Sequence, residues 1–425
     1  MDLKKILKSL ENCPCGRVHT FDTEIVEIEI GITSRTGEIL KSAGFEKNIL
    51  VVADSNTITA AHGVLDSLES SGFTIKQHIY EDMKYAMAES VEEVKSIAAD
   101  VDGIISVGTG SLNDICRVAS FELKKKFCIF ATAPSMDGFA SDTAPIIKNG
   151  FKASREVAQP SVIIADTKIL AKAPSILKSS GFGDMIAKYI GLVDWEISRL
   201  ISGEYYCEKV AAITKSATDK IVSLADRVTE ESEEAAGAIM ESLIMTGLAM
   251  KLARSSRPAS GAEHIISHYL ECHKVIAGVW PDYHGRKVAV GTVYCNRIYR
   301  SLAEKFDTIT CTEDKTDWSE VYAHYAPELH PDIKKLNEPT VTDNIDPRKI
   351  ESEWQNIRRV ILELLPDDET LVKLMKTAGA PISPEEVDVS REFLEDAIRY
   401  HSYMRHRITL MRILPMMGID PIDYI

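Results

Sequence analysis

The chain divides into two unlike parts, and this contrast constrains its fold more than any other feature. Between residues 48 and 166, short apolar and β-branched runs alternate with helical patterns. They predict strands at residues 48–54, 73–80, 101–107, 127–131 and 161–165, and helices at 60–71, 90–99 and 114–121. Strands that alternate with helices favour a mainly parallel, doubly wound, Rossmann-like α/β sheet, which binds ligands at the carboxyl ends of its strands.

The second part has a helical pattern. Apolar residues recur at spacings of three and four in the stretches 184–202, 206–227, 231–253, 262–272, 286–306 and 350–365. We therefore predict an α/β domain over residues 1–172, an all-α domain over residues 173–425, and an active site in the cleft between them. Residues 308–347 have no clear pattern.

Composition limits the partners. The 425 residues include 49 Lys and Arg against 64 Asp and Glu, a net charge of −15 that disfavours nucleic acids and anionic lipids. No apolar run approaches the roughly 20 residues that span a bilayer, and the start lacks a signal-peptide core. The 8 scattered cysteines fit a reducing compartment. We expect a cytoplasmic protein without nucleic-acid or membrane partners, in which any phosphorylated ligand needs a local cationic or metal site.

Two loops at predicted strand ends could bind a ligand. Gly108 and Gly110 follow the third predicted strand and precede a helix, whose N-terminal N–H groups could bind a pyrophosphate. Residues 131–141, rich in small hydroxyl side chains, follow the next strand. Ordinary turns remain the alternative for both loops. Asp54 ends the first predicted strand and could accept hydrogen bonds from a ribose.

The histidines suggest a metal site. His264, His268, His273 and His284 lie close together among 11 histidines, and His264 and His268 share one helix face. Two imidazoles and a carboxylate form a common catalytic metal site with one open position. Asp184, behind two glycines at a predicted helix start, could supply the carboxylate. It could also be an N-cap or pair with Lys188, and the histidines could be structural.

Residues 49–299 resemble the bacterial branch of the glycerol-1-phosphate dehydrogenase family, which belongs with the iron-containing alcohol dehydrogenases and dehydroquinate synthases. The resemblance depends on residues 132–138, 181–184 and 256–264. It implies a homodimeric NAD(P)H-dependent oxidoreductase that reversibly reduces dihydroxyacetone phosphate to sn-glycerol 1-phosphate.

The resemblance also implies roles for individual residues. Asp184, His264 and His284 would hold one divalent metal, either zinc, nickel or iron. Asp137, Asp184 and His268 would contact the substrate, with Asp137 and His268 as catalytic residues. The dinucleotide would be bound by Asp54, Gly110, Ser111, Leu112, Asn113, Asp114, Thr132, Ala133, Pro134, Ser135 and Ser141. Residues 1–172 would then bind the nucleotide, and residues 173–425 the metal and substrate.

Two other functions fit the sequence less well. A metal- and NAD-dependent sugar-phosphate cyclase of the dehydroquinate synthase type would need more Lys and Arg than the candidate loops contain. A non-catalytic nucleotide sensor is opposed by the intact Asp184, His264 and His284. Arg257 or Lys188 is predicted to hold the substrate phosphate.

The N-terminal segment contains another group of possible metal ligands. Cys13, Cys15 and His19 lie close together in the sequence, but no fourth ligand can be identified from the sequence alone. The favoured interpretation is a solvent-exposed turn with adventitious thiols.

Overall fold

The computed structural model describes all 425 residues. Its strands are β1 (Ile25–Glu29), β2 (Asn48–Asp54), β3 (Thr74–Tyr80), β4 (Gly103–Gly108), β5 (Lys126–Ala131), β6 (Thr143–Lys148), β7 (Phe151–Glu156) and β8 (Val162–Asp166). Its first helices are α1 (Leu3–Ser9), α2 (Thr36–Ser42), α3 (Ser55–Ala60), α4 (Val64–Ser70), α5 (Ala88–Ile97), α6 (Gly110–Glu122) and α7 (Thr167–Lys172).

Only helices and irregular segments follow. They are α8 (Ser175–Ile186), α9 (Lys188–Ser202), α10 (Glu208–Val222), α11 (Glu233–Ala253), α12 (Ala262–Ile276), α13 (His284–Lys305), α14 (Trp318–Ala323), α15 (His330–Asn337), α16 (Pro347–Leu364), α17 (Asp368–Thr377), α18 (Arg391–Tyr400) and α19 (Leu410–Ile413). The predicted boundary near residues 171–174 falls between α7 and α8, after the last strand.

Six strands form one parallel sheet in the order β1-β8-β5-β4-β2-β3. The chain runs from β2 outward to β3 and then crosses back to β4 on the other side of β2. The strand order therefore reverses between β2 and β4, and a ligand crevice is expected beyond their carboxyl ends. β6 and β7 form a separate antiparallel hairpin.

Both faces of the sheet are covered. Leu50 and Val52 of β2 join the larger apolar cluster, whereas Ile49 and Val51 join a second cluster on the opposite face. A strand that is buried on both faces has to be apolar throughout, which is why these strands appear as uninterrupted apolar runs. The predicted doubly wound α/β sheet followed by an all-α part is confirmed.

All five predicted strands are present, but β1 and the β6–β7 hairpin were missed. β1 is a sheet-edge strand interrupted by glutamates, and much of β7 is exposed. The helix predicted at residues 60–71 is present as α4, but it begins only at Val64, because Gly63 separates α4 from α3. This glycine has φ 96°, in the left-handed region where an α-helix cannot continue.

Helix α11 departs from the prediction that no apolar segment could span a bilayer. By length and composition it is apolar enough to do so, but 83% of its most apolar window is buried inside the structure. A central helix of a folded core has the same composition, because it is apolar on all sides.

The C-terminal segment returns to the start of α12. The buried Asp194 carboxylate accepts hydrogen bonds from the Ala262 amide (2.8 Å), the Tyr299 hydroxyl (2.8 Å) and the Leu410 amide (2.9 Å). Burial raises the pKa of Asp194 to about 7. Since Asp194 lies on α9, this one side chain links α9, α12, α13 and the start of α19.

Candidate active site

A deep cleft lies between the carboxyl edge of the sheet and helices α12 and α13. It contains about 1530 Å³ of empty space, including its open mouth. Its walls include the predicted site residues Asp54, Gly110, Ser111, Leu112, Asp114, Ser135, Asp137, Ser141, His264, His268 and His284.

The α6 N-terminus forms one wall of the cleft. Thr109 is its N-cap and provides no side-chain cap, so the first amide groups of the helix remain free to bind an anion. A Cβ atom on Gly108 would lie 2.4 Å from Leu112 Cδ1, whereas one on Gly110 would have no atom closer than 3.9 Å. Gly108 therefore packs closely against Leu112 at the start of α6, whereas Gly110 has open space around it.

Asp54 lies at the end of β2, on the other side of the position at which the strand order reverses between β2 and β4. Its Oδ1 atom accepts the amide hydrogens of Asn56 (2.9 Å) and Thr57 (2.8 Å), which caps α3. These bonds fix the carboxylate at the edge of the cleft. They leave its second oxygen available for a ligand hydroxyl.

Asp184, His264 and His284 converge from three helices. One potential ligand atom from each lies within 4.8 Å of those of the other two. Glu263 Oε1 lies 2.6 Å from His264 Nδ1, and His264 Nε2 lies 3.2 Å from Asp184 Oδ1. The buried Nδ1 of His284 has no hydrogen-bond partner. A carboxylate and two imidazoles, one of them oriented by Glu263, fit a divalent zinc, nickel or iron ion.

Glycines, and not a helix cap, bring Asp184 to this position. Asp184 lies near the C-terminal end of α8, so the N-cap interpretation is wrong. A Cβ atom on Gly181 would lie 2.0 Å from the Pro134 carbonyl oxygen, and one on Gly183 would lie 2.5 Å from that of Gly285. The two glycines thus let α8 contact both the 131–141 loop and α13.

Lys188 lies beneath the metal-ligand group and is fully buried. Its Nζ atom lies 2.7 Å from Asp184 Oδ1 and 2.6 Å from Asp137 Oδ2, and the Asp137 amide donates to Asp184 Oδ2 at 2.9 Å. Although burial opposes it, the two carboxylates raise the pKa of Lys188. Lys188 therefore compensates two buried carboxylates, and the prediction that it holds a substrate phosphate is wrong.

His268 projects into the cleft one helical turn beyond His264. Its ring lies 5.9 Å from that of His284, and its Nδ1 is buried without a partner. Burial, together with the nearby cations Arg405 and Lys152, lowers the pKa of His268 well below its usual value. His268 is therefore a neutral, unengaged imidazole beside the three candidate metal ligands.

A group of basic side chains, absent from the sequence-based prediction, lines the same cleft. Glu271 binds Lys152 Nζ at 2.9 and 3.0 Å and lies 3.9 Å from Lys287 Nζ. Burial opposes ionisation of Glu271, but these lysines lower its pKa to about 2. The basic residues that line the cleft are Lys84, Lys152, Lys287, Arg405 and Arg407.

The two arginines have no carboxylate partner. Arg407 donates to the Ser260 carbonyl (2.7 Å) and to Ser256 Oγ (2.6 Å), while Arg405 donates only to backbone carbonyls. Burial and neighbouring cations lower the pKa of Arg407 to about 9. Because Lys152 lies on the unpredicted hairpin, the main sequence signal available was the Arg405-His406-Arg407 run in an otherwise acidic chain.

Four predicted dinucleotide residues are buried and do not line the cleft: Asn113, Thr132, Ala133 and Pro134. Asn113 Oδ1 accepts from Ser106 Oγ at 2.7 Å, so its side chain is directed at the sheet. The prediction for Arg257 is also wrong. Its Nε donates to Glu204 Oε1 at 2.9 Å and its Nη1 to the Ile408 carbonyl at 2.7 Å, so it is buried outside the cleft.

Comparison with known proteins identifies relatives along almost the whole chain. Residues 27–174 match the family model described as iron-containing alcohol dehydrogenase. The chain is 29% identical over 423 residues to a glycerol-1-phosphate dehydrogenase [NAD(P)+] of Bacillus licheniformis, covering 98% of this chain and 95% of the relative. It is 32% identical to the Bacillus velezensis protein of that name over 371 residues, covering 86% and 84%.

A solved structure supports the fold. The NADH-dependent butanol dehydrogenase A of Thermotoga maritima superimposes with a TM-score of 0.61 at 15% identity, covering 95% of this chain and 97% of that one.

Proposed function

Because the chain belongs to the glycerol-1-phosphate dehydrogenase family, we propose that it interconverts sn-glycerol 1-phosphate and dihydroxyacetone phosphate with a metal ion and NAD(P). The observation that supports this proposal most is the set of groups that line one cleft. It combines a three-residue metal-ligand group, a free helix N-terminus and several cations. Residues before the boundary near 171–174 would bind the dinucleotide, and residues after it would hold the metal.

Asp184, His264 and His284 would hold the metal, and the α6 amides and Asp54 would hold the pyrophosphate and a ribose. When bound, the metal supplies Lewis acidity and the nicotinamide supplies or accepts the hydride. The chain itself supplies orientation. Lys188 fixes Asp137 relative to Asp184, and Glu263 fixes the His264 ring. The choice among zinc, nickel and iron depends on metal availability as well as on these ligands.

His268 would transfer the proton of the substrate hydroxyl. In the oxidation direction the neutral imidazole accepts this proton, and in the reduction direction its conjugate acid returns it. Burial, and to a smaller extent Arg405 and Lys152, lower the pKa of His268 in the free protein. A substrate phosphate that neutralised these two cations would weaken this effect, so binding of the substrate would ease protonation of His268.

Arg405, Arg407 and Lys152 would hold the substrate phosphate, assisted by Lys287. The two arginines have no carboxylate partner and line the same cleft as His268. A guanidinium binds a phosphate through paired, charge-assisted hydrogen bonds. This arrangement meets the requirement for a local cationic site in a chain of net charge −15.

Replacing Arg405 tests the phosphate site. We expect Arg405→Leu to raise KM for glycerol 1-phosphate by about 10–100-fold, the effect of losing a charged hydrogen bond, with a smaller effect on kcat. Turnover of unphosphorylated glycerol should not worsen. Arg399→Leu is the matched control, because Arg399 pairs with Asp420 and does not line the cleft. An unchanged KM in Arg405→Leu would contradict the assignment.

The cyclase alternative needs a direct test. Contrary to the prediction from the candidate loops, the site is rich in basic residues, because basic side chains reach the cleft from β7, α13 and the C-terminal segment. The names of the relatives favour the dehydrogenase. Steady NADH or NADPH oxidation with dihydroxyacetone phosphate after metal addition would support it. Phosphate release from a seven-carbon acid phosphate, without that oxidation, would support the cyclase.

We further propose a cytoplasmic location, on the basis of the eight free cysteines, and a homodimer, on the basis of the family resemblance. Light scattering of the purified protein should give twice the chain mass of 47.1 kDa across working concentrations. A stable monomer in the same measurement, with full activity, would contradict the dimer and leave the proposed reaction intact.

A further inference from the structure

A second group of metal-ligand residues lies outside the cleft. Cys13, Cys15, His19 and Cys207 place one ligand atom each within 4.8 Å of one another. Cys207 is the fourth ligand that the N-terminal sequence lacks. Cys13, His19 and Cys207 are buried, so the interpretation of this segment as a solvent-exposed turn is wrong.

We propose that these four residues form a structural zinc site that joins the N-terminal segment to the helical part of the chain. The ligand set is closed, with three thiolates and one imidazole, and it leaves no position for a substrate. This proposal does not depend on the proposed function, because it shares no residue with the cleft.

The distances fit a tetrahedral ion. Zinc–sulfur bonds of about 2.3 Å place two sulfurs of a tetrahedron about 3.8 Å apart. Cys13 Sγ lies 3.6 Å from Cys207 Sγ, Cys15 Sγ lies 3.2 Å from His19 Nε2, and Cys207 Sγ lies 3.8 Å from His19 Nε2. The ligand atoms are thus already close to the required spacing.

The surroundings orient the ligands. His19 Nδ1 lies 2.9 Å from the Leu252 carbonyl oxygen, so Nδ1 carries the proton and Nε2 is left to face the thiols. A histidine that binds a metal commonly donates its second nitrogen in this way. The His19 tautomer therefore matches that of a metal ligand.

The surroundings of two of the thiols add geometric support. The Tyr205 hydroxyl donates a hydrogen bond to Cys15 Sγ at 3.3 Å. Cys207 is the N-cap of α10, where the helix N-terminus favours a negative charge, although burial opposes the thiolate form of Cys207 in the metal-free protein. A metal ion would further favour the thiolate form of every cysteine in the group.

The position of the group explains what the ion would stabilise. Leu252 belongs to the last turn of α11, and Arg17 Nη1 donates to the Ala253 carbonyl at 3.2 Å. The chain then continues through residues 254–261 to α12, which begins beside His264. The ion would therefore hold the N-terminal segment against the end of α11 and the start of α10, outside the cleft.

Cobalt substitution tests the site directly. The full chain, prepared without zinc and loaded with Co²⁺, should show the thiolate-to-cobalt charge-transfer absorption of a tetrahedral sulfur-rich site. The absorption should persist in His264→Ala, because the ligands of the cleft include no sulfur. It should be lost in Cys15→Ser and Cys207→Ser, and it should be unchanged in the control Cys311→Ser, whose thiol lies outside the group.

Zinc content and stability provide the second measurement. His264→Ala should retain about one zinc per chain, and removal of this zinc should lower Tm by more than about 5 °C. Cys15→Ser is expected to fold, because Cys15 is only half-buried and serine is nearly isosteric. Loss of the cobalt absorption in this variant therefore reports on the metal site and not on misfolding. Absence of the cobalt absorption in a folded wild-type chain, or a Cys13–Cys207 disulfide in protein prepared under reducing conditions, would overturn the proposal.

Discussion

His264→Ala and His284→Ala should each yield a folded protein that binds no metal in the cleft and turns over at least about 10³-fold more slowly. Each variant removes one of three convergent ligands, and two remaining ligands hold a divalent ion poorly. Loss of the metal also removes the positive charge that stabilises the developing alkoxide in the reaction.

The protein should stay folded, because the apolar cores do not depend on these imidazoles. Circular dichroism and Tm should remain close to those of the wild type, while metal analysis reports the loss from the cleft. If the N-terminal group also binds zinc, total zinc falls but does not reach zero, so metal content has to be read together with turnover.

A histidine from the same stretch supplies the control. His273 lies on α12, but its Nδ1 lies 2.8 Å from the Tyr269 carbonyl and its ring packs against Tyr269, Tyr325 and Phe393. His273→Ala should therefore lower stability and leave metal content and turnover per folded molecule almost unchanged. Activity like that of the wild type in His264→Ala or His284→Ala at substoichiometric metal would exclude the assignment.

The sequence predicts the sheet side of the cleft well, because the signals for it lie within short segments of the chain. The central strands β2, β4, β5 and β8 each carry their own apolar run, and small or polar residues follow β2, β4 and β5. Asp54, Gly110 and Asp137 were found because the carboxyl ends of parallel strands meet at one edge of the sheet.

The parts that were missed depend on contacts between residues far apart in the chain. Cys13 and Cys207 are separated by 194 positions, and nothing near Cys207 in the sequence marks it as a ligand. Arg405 reaches the cleft only because the C-terminal segment folds back onto the start of α12, where Asp194 binds the Leu410 amide. The periodicity of a single segment contains no information about such pairings.

Asp184 was predicted as a metal ligand, but the position predicted for it, at the start of a helix, was wrong. The glycines before Asp184 explain this error. In isolation they indicate a helix start, because glycine is a poor helix former. Here Gly181 and Gly183 lie inside α8, and packing decides their identity, since a Cβ on either would overlap a neighbouring backbone. The tertiary contact outweighs the helix propensity.

His268→Ala should keep nearly full metal content and lower turnover by about 10²–10⁴-fold, the usual effect of losing a general acid–base group. His268 lies one turn from His264 and faces the cleft, but it is not among the three side chains whose ligand atoms converge. Its Nδ1 has no partner within the protein, as expected of a group that awaits a substrate.

Two variants at this position separate proton transfer from hydrogen bonding. His268→Gln retains a hydrogen-bonding side chain but cannot exchange a proton near neutral pH, so it should be as slow as His268→Ala if His268 transfers the proton. Recovery of turnover in His268→Gln would instead make His268 a positioning residue. A packed structural histidine would lower Tm and leave the rate per folded molecule unchanged. Metal content completes the test, because loss of metal from the cleft together with activity would make His268 a ligand and contradict the three-ligand site.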